Sequence, residues 1–131
     1  AKLLEELEKQ YSRAKLVADA LIQVNIGREE SKTGILLEEL EELVKALEGC
    51  SSVRVKGLMV IIPKVDEETS RSYFREIHKL WKELKGRNLR NMTMDYLSMG
   101  MTNDYKMAIE EGSNMIRVGE GIFGKRLYNN K

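Results

Sequence analysis

The sequence predicts an α/β fold in which parallel strands alternate with amphipathic helices. Short apolar runs such as Ala20–Ile26 and Val53–Ile61 recur along the chain, and between them apolar residues return at helical spacing. The connections between these runs are short, and no proline- or glycine-rich linker or low-complexity stretch divides them. A length of 131 residues suits one core and would cramp two, so one domain over residues 1–131 is expected.

Leu3, Leu4, Leu7 and Tyr11 recur among Glu and Lys, which predicts an opening amphipathic helix. Ala20–Ile26 then reads as a strand buried on both faces, ending at Gly27. A polar loop from Gly27 to Gly34 leads into a second helix carrying Leu36, Leu37, Leu40, Leu43, Val44 and Leu47, closed by Gly49. The run Val53–Ile61 begins with alternation, turns fully apolar and is stopped by Pro63, which cannot donate to a ladder. Asp66 is the expected N-cap of a long helix to about Gly86, with Glu67 and Glu68 at the positive end of its dipole. Asp95–Gly100 is the third strand, followed by the capping triplet Thr102-Asn103-Asp104 and a helix from Tyr105 to Glu111 that stops at Gly112. Met115–Val118 is the fourth strand, running into Gly119-Glu120-Gly121.

Four strand–helix units in series imply right-handed crossovers and a parallel sheet. Strand starts near Ala20, Val53, Asp95 and Met115 suit half of a (β/α)8 TIM-type barrel, whose whole length is typically about 250 residues. An open, doubly wound sheet of four strands has the same periodicity.

Composition excludes several classes. Apolar residues make up 42% and charged residues 33%, a globular balance. Lys and Arg number 22 against 21 Asp and Glu, so the basic excess of a nucleic-acid binder is missing. The longest aliphatic run, Leu58 to Ile62, falls far short of the roughly 20 residues that cross a bilayer. No charged-then-apolar leader opens the sequence, and the single cysteine, Cys50, has no partner in the chain, so a reducing cytoplasm is expected.

Two loops form the candidate site. Ser98-Met99-Gly100-Met101-Thr102 offers two hydroxyls, a glycine that lets backbone come close and the start of a helix, where free N–H groups suit a phosphate. Gly119-Glu120-Gly121 offers similar backbone donors, and the loops after strands 7 and 8 of a barrel are where a phosphate is commonly held. The competing reading gives the glycines to turns and the hydroxyls to caps. Gly119-x-Gly121-x-x-Gly124 matches the dinucleotide fingerprint by letter, but the seven residues after it supply neither the helix nor the distant acid that the fingerprint needs.

Arg117 is the only charge in its strand and shares a side with Met115 by alternation; it either donates to a ligand or makes a strand-end salt bridge. Lys32, in the loop before Gly34, reads either as a catalytic lysine or as a solvated charge. His78 stands alone in mid-helix beside Leu80 and Trp81 and reads as structural, which with one cysteine makes zinc an improbable ligand. Met59, Met99 and Met101 are apolar fillers near strand ends.

Five segments, in order and spacing, resemble the pyridoxal phosphate homeostasis proteins of the YggS/PROSC family. They are Ile22–Ile26 with Glu30-Ser31-Lys32-Thr33-Gly34, Gly57-Leu58-Met59, Leu97–Thr102, Ala108-Ile109 with Gly112-Ser113, and Arg117-Val118-Gly119 with Ile122-Phe123-Gly124. The resemblance spans nearly the whole chain. It implies a barrel like the N-terminal domain of alanine racemase, of which this chain is the C-terminal half, strands 5–8. It further implies that Ser98, Thr102 and the backbone at Gly119 and Glu120 hold the phosphate of pyridoxal 5'-phosphate (PLP), that Arg117 faces the pyridine nitrogen and that Met59 lies near the ring. Such proteins carry and buffer PLP, with apo-enzymes that require PLP as possible recipients. The family's Schiff-base lysine lies on the first barrel strand, outside the resembling stretch, so non-covalent, weak binding and no catalysis are expected of these residues. Glu120 stands where the family has Thr or Ser, and a carboxylate there repels a phosphate unless it points away. The other readings are a fragment of a fold-type III PLP enzyme such as an amino-acid racemase, and a purely structural half-barrel. Half a barrel leaves an apolar inner face and two open edges, so self-association is expected.

Overall fold

The computed structural model describes residues 2–29 and 34–119. Helix α1 (Lys2–Ala14) lays Leu4, Leu7 and Tyr11 against the core and leaves Leu3 in solvent. Strand β1 (Ala18–Val24) begins two residues before the expected Ala20, because Ala18 already pairs with Val53. A 3₁₀ turn at Leu37–Glu39 precedes helix α2 (Leu40–Glu48), so the second helix is shorter than its leucines predict. The Glu39 carboxylate accepts the Leu36 N–H at 2.9 Å and closes that first turn.

Strand β2 (Val53–Val60) and helix α3 (Glu67–Gly86) follow the expected bounds closely, with Asp66 at the N-cap position. Strand β3 (Met92–Met101) starts three residues before Asp95. Its early start follows from pairing: Val55 donates to the Asn91 carbonyl at 2.8 Å and is in register with Met92. Helix α4 (Tyr105–Glu110) and strand β4 (Met115–Arg117) complete the described fold.

The four strands are parallel and lie in the order β1-β2-β3-β4, each beside its predecessor. A doubly wound sheet needs a reversal of strand order, and this sheet has none. Right-handed crossovers wound in one direction put every helix on the same face. Burial agrees: Ile22, Val24, Leu58, Val60, Leu97 and Met99 are all less than a tenth exposed and pack with Val44, Leu47, Phe74, Ile77, Leu84 and Ala108 from the helices. Each large side chain in that layer contributes roughly 1.5–3 kcal/mol through its removal from water.

Among the described residues, no helix covers the other face. Leu21, Gln23 and Met59 are half-buried there, while Tyr96 is 44% and Met115 37% exposed. The expectation of strands buried on both faces is therefore corrected: the helix-facing side is closed, whereas the other is buried at Gly57 and Ser98 but half-buried or exposed at Leu21, Gln23, Met59, Tyr96 and Met115. The register shifts between Val55 and Gly57, and there β2 runs so close to β3 that a Cβ on Gly57 would lie 1.8 Å from the Tyr96 carbonyl oxygen. Only glycine fits. Beyond Val24, Ile35 pairs with the β1 edge and exchanges hydrogen bonds with Gln23 and Asn25 at 2.9 and 2.8 Å.

Candidate functional site

Strand register builds the site. Gln23, Met59, Ser98 and Met115 are aligned across β1, β2, β3 and β4 on the face opposite the described helices. Ser98 is the buried member of that row, at 1% exposure. One level higher, towards the C-terminal ends of the strands, Met101 is paired with Arg117, so a residue is gained in β3 between Ser98 and Met101. Gly100, at φ +101°, absorbs that irregularity.

Arg117 reaches from β4 across the end of β3, and its Nη2 donates to the Val60 carbonyl of β2 at 2.7 Å. Its Nε is buried with no hydrogen-bond partner among the described residues. Burial pushes the guanidinium pKa down from its ordinary value, and the Asp104 carboxylate works against that shift. A salt bridge at the strand end was one expectation for Arg117; among the described residues it makes none. A buried donor without an acceptor costs roughly 1–3 kcal/mol, which marks this nitrogen as needing a partner that the described residues do not give. An aromatic nitrogen or an anionic oxygen at the strand ends is such a partner.

Thr102 is half-buried in the turn that follows β3, and Gly119 is exposed two residues beyond Arg117, where an added Cβ would touch nothing. Both therefore leave the sheet at the same end as Arg117, from adjacent strands. Glu120, Gly121 and Lys32 lie outside the described residues.

Two details of the first loop differ from expectation. Gly100 was read as making room for a ligand, yet a Cβ there would sit 2.8 Å from Ala108 Cβ and 3.0 Å from Tyr105 Cα. The room it makes is for α4. The Met101 N–H donates to Asp104 Oδ1 at 2.7 Å, so that amide is already used within the turn.

Sequence reasoning missed Ser113 and Asn114 as side chains with work to do at Ser98. Asn114 accepts the Leu97 N–H at 2.7 Å and donates to the Asp95 carbonyl at 2.9 Å. The Ser113 Oγ lies 3.3 Å from the Met99 N–H and 2.8 Å from the Met99 carbonyl. The available signal was an amide and a hydroxyl directly after a helix-ending glycine, groups able to imitate the rungs of a ladder.

An open groove lies elsewhere on the same face. It measures about 420 Å³ and lies lower on the sheet, lined by Asp19, Leu21, Lys56, Asp95, Tyr96 and Met115. Lys56 and Asp95 face each other across it at 4.0 Å. It holds one cation and two carboxylates, a poor match to a phosphate dianion.

His78 takes the structural role expected of it. Its ring lies where a Cβ on Gly112 would come within 2.8 Å, stacks with Trp81 at 6.0 Å between centroids, and has its pKa lowered by burial. Cys50 is buried, and burial with the nearby Glu8 raises its thiol pKa, which disfavours the thiolate. Among the described residues no group of His, Cys, Asp and Glu is arranged to hold a metal, and no helix is long and apolar enough to cross a membrane.

Residues 1–127 match the family described as alanine racemase, N-terminal domain. The chain belongs to that family. Within it, a pyridoxal phosphate homeostasis protein from Aquifex aeolicus is 40% identical over 127 residues, covering 96% of this chain and 55% of that protein. A second, from Haemophilus influenzae, is 41% identical over 129 residues and is covered to 54%. The chain thus spans about half the length of the curated relatives it matches. Among solved structures, PipY of Synechococcus elongatus PCC7942 without PLP superposes with a TM-score of 0.80 at 26% identity, covering 89% of this chain and 54% of PipY. PipY has also been solved with PLP bound. The alanine racemase N-terminal relationship agrees with a singly wound parallel α/β sheet.

Proposed function

We propose that this chain is the phosphate-holding part of a PLP site in a protein of intracellular PLP homeostasis, non-enzymatic in itself. The observation that carries the reading is the alignment of Met59 and Ser98 in one row beneath Arg117, whose buried Nε lacks an acceptor. Family membership and the PLP-named relatives support it.

Ser98 near the end of β3 and Thr102 in the turn after it, with the backbone of Gly119 and Glu120 beyond β4, hold the phosphate. Arg117 donates to the pyridine nitrogen, and Met59 packs against the ring. When bound, PLP supplies an electron-withdrawing pyridine ring; an arginine at its nitrogen keeps that nitrogen unprotonated and weakens the withdrawal. That arrangement favours carrying over turnover. The four strands are strands 5–8 of a (β/α)8 barrel, and the cofactor lysine belongs to the part of the relatives that this chain does not span. The uncovered face is closed by association, either with the complementary half or with a second copy.

The description alanine racemase, N-terminal domain also favours a second reading, in which the same site belongs to an amino-acid racemase. Equilibrium dialysis of the chain against PLP tests the first. Weak binding is expected, displaced by inorganic phosphate and reduced about tenfold in Ser98→Ala. Pyridoxal without its phosphate binding equally well would overturn it, and racemisation of alanine on adding PLP would transfer support to the second reading.

A further inference from the structure

Every part of β3 that flanks Ser98 is touched by the two residues that precede β4. The Leu97 N–H donates to Asn114 Oδ1 at 2.7 Å, and the Leu97 carbonyl accepts from the Asn114 N–H at 3.2 Å. The Asp95 carbonyl, two residues earlier, accepts from Asn114 Nδ2 at 2.9 Å. On the other side of Ser98, the Met99 N–H donates to Ser113 Oγ at 3.3 Å. The Ser113 hydroxyl has one proton and lies within reach of the Leu97, Met99 and Met115 carbonyls at 3.1, 2.8 and 2.9 Å. Residue 113 itself is fixed by its N–H to the Ala108 carbonyl at 2.9 Å, which locks the corner to α4.

This matters because the β3–β4 ladder is irregular here. Its register passes from Ser98↔Met115 to Met101↔Arg117 with one extra residue in β3. A strand segment beside such an irregularity loses part of its ladder, and its neighbouring side chains swing with the backbone. Gly112, at φ +110° and packed under the His78 ring, sets the turn from which Ser113 and Asn114 approach.

We infer that Ser113 and Asn114 are positioning residues that hold the peptide units on both sides of Ser98, and so set its hydroxyl in line with Met59 below Arg117. The inference rests on the PLP reading given above and extends it to residues that do not touch the ligand. They act through the backbone of β3.

The test is a double-mutant cycle on the full chain, with PLP affinity read by equilibrium dialysis and folding by circular dichroism. Asn114→Leu keeps the side-chain size and removes both amide contacts; Ser113→Ala removes the hydroxyl alone. Each is expected to weaken PLP about tenfold in a folded chain, and to weaken it less than twofold further once Ser98 is already Ala. A residue that only supports the fold would give equal losses in both backgrounds, and that additivity would overturn the inference. So would folded variants that bind as the wild type does. A wild-type chain that takes up no PLP overturns the reading of the site and this inference with it, a result distinguishable from variants that fail alone. Should Asn114→Leu unfold, Ser113→Ala carries the comparison, with Ser113→Thr expected to restore affinity by returning the hydroxyl.

Discussion

Arg117 joins the ends of three strands through one hydrogen bond, to the Val60 carbonyl at 2.7 Å. Alternation within its strand was enough to read which side it takes, but the carbonyl it reaches lies on β2, two strands away. A single sequence contains no record of that distance. Arg117→Lys removes Nε and the fork, so the chain is expected to stay folded while PLP affinity falls about tenfold, near the lower end of the 1.5–3 kcal/mol typical of a charged hydrogen bond. Dialysis against PLP measures it; unchanged affinity would remove Arg117 from the site. Gly57 teaches the same lesson from the other direction. Its glycine is needed because β2 and β3 shift register there, and a methyl group would collide with the Tyr96 carbonyl. Gly57→Ala is expected to destabilise by about 3 kcal/mol or more, seen as a lower urea midpoint, because backbone on both sides resists the added atom. A loss under about 1 kcal/mol would mean that the strands separate easily.

At the scale of elements, helices were located from the sequence because apolar residues at helical spacing, such as Leu4, Leu7 and Tyr11 or Phe74, Ile77 and Leu84, fix a face without outside help. Strand starts were read less well. β3 begins at Met92 because Val55 pairs with Met92 and donates to Asn91, contacts made by residues far apart in sequence. The polar Thr93 hid that start. Helix α4 is too short to stand alone and is held to α3 by charge: Arg71 and Arg75 meet Glu111 at 3.2 and 3.0 Å. Hydrogen bonding to Arg75 and then to Arg71 lowers the Glu111 pKa, against an opposing effect of desolvation. A lowered folded-state pKa gives stability that is present above the ordinary carboxylate value and lost as pH falls through the folded one. The stability difference between wild type and Glu111→Gln should therefore be constant from neutral pH down to about 5 and shrink below 4.5. Urea midpoints across that range check it, and a difference that grows on acidification would contradict the assignment. The corner before β4 belongs at this scale too. Gly112-Ser113-Asn114 was legible as a turn, but its use as a brace for β3 depends on where β3 passes.

For the molecule as a whole, the alternation of strand and helix predicted the parallel α/β class. Periodicity alone left the order β1-β2-β3-β4 open, being the same for a singly and a doubly wound sheet; the expected half-barrel implied it. Order decides which face stays open. Here Tyr96 and Met115 stand 44% and 37% exposed on the face opposite the described helices. Apolar groups gathered on one open face favour association. At micromolar concentration the chain is expected to sediment as a species larger than its 15.1 kDa, and Tyr96→Lys to return it towards a monomer. A wild-type monomer at that concentration would count against closure by a second copy. The central claim concerns the C-terminal ends of the strands rather than the groove lined by Lys56 and Asp95. Backbone amide NMR of the labelled chain titrated with PLP tests it most directly. Shifts gathered at Ser98–Thr102 and Arg117–Gly119 are predicted; shifts gathered around Asp19, Lys56 and Asp95, or none anywhere, would contradict it.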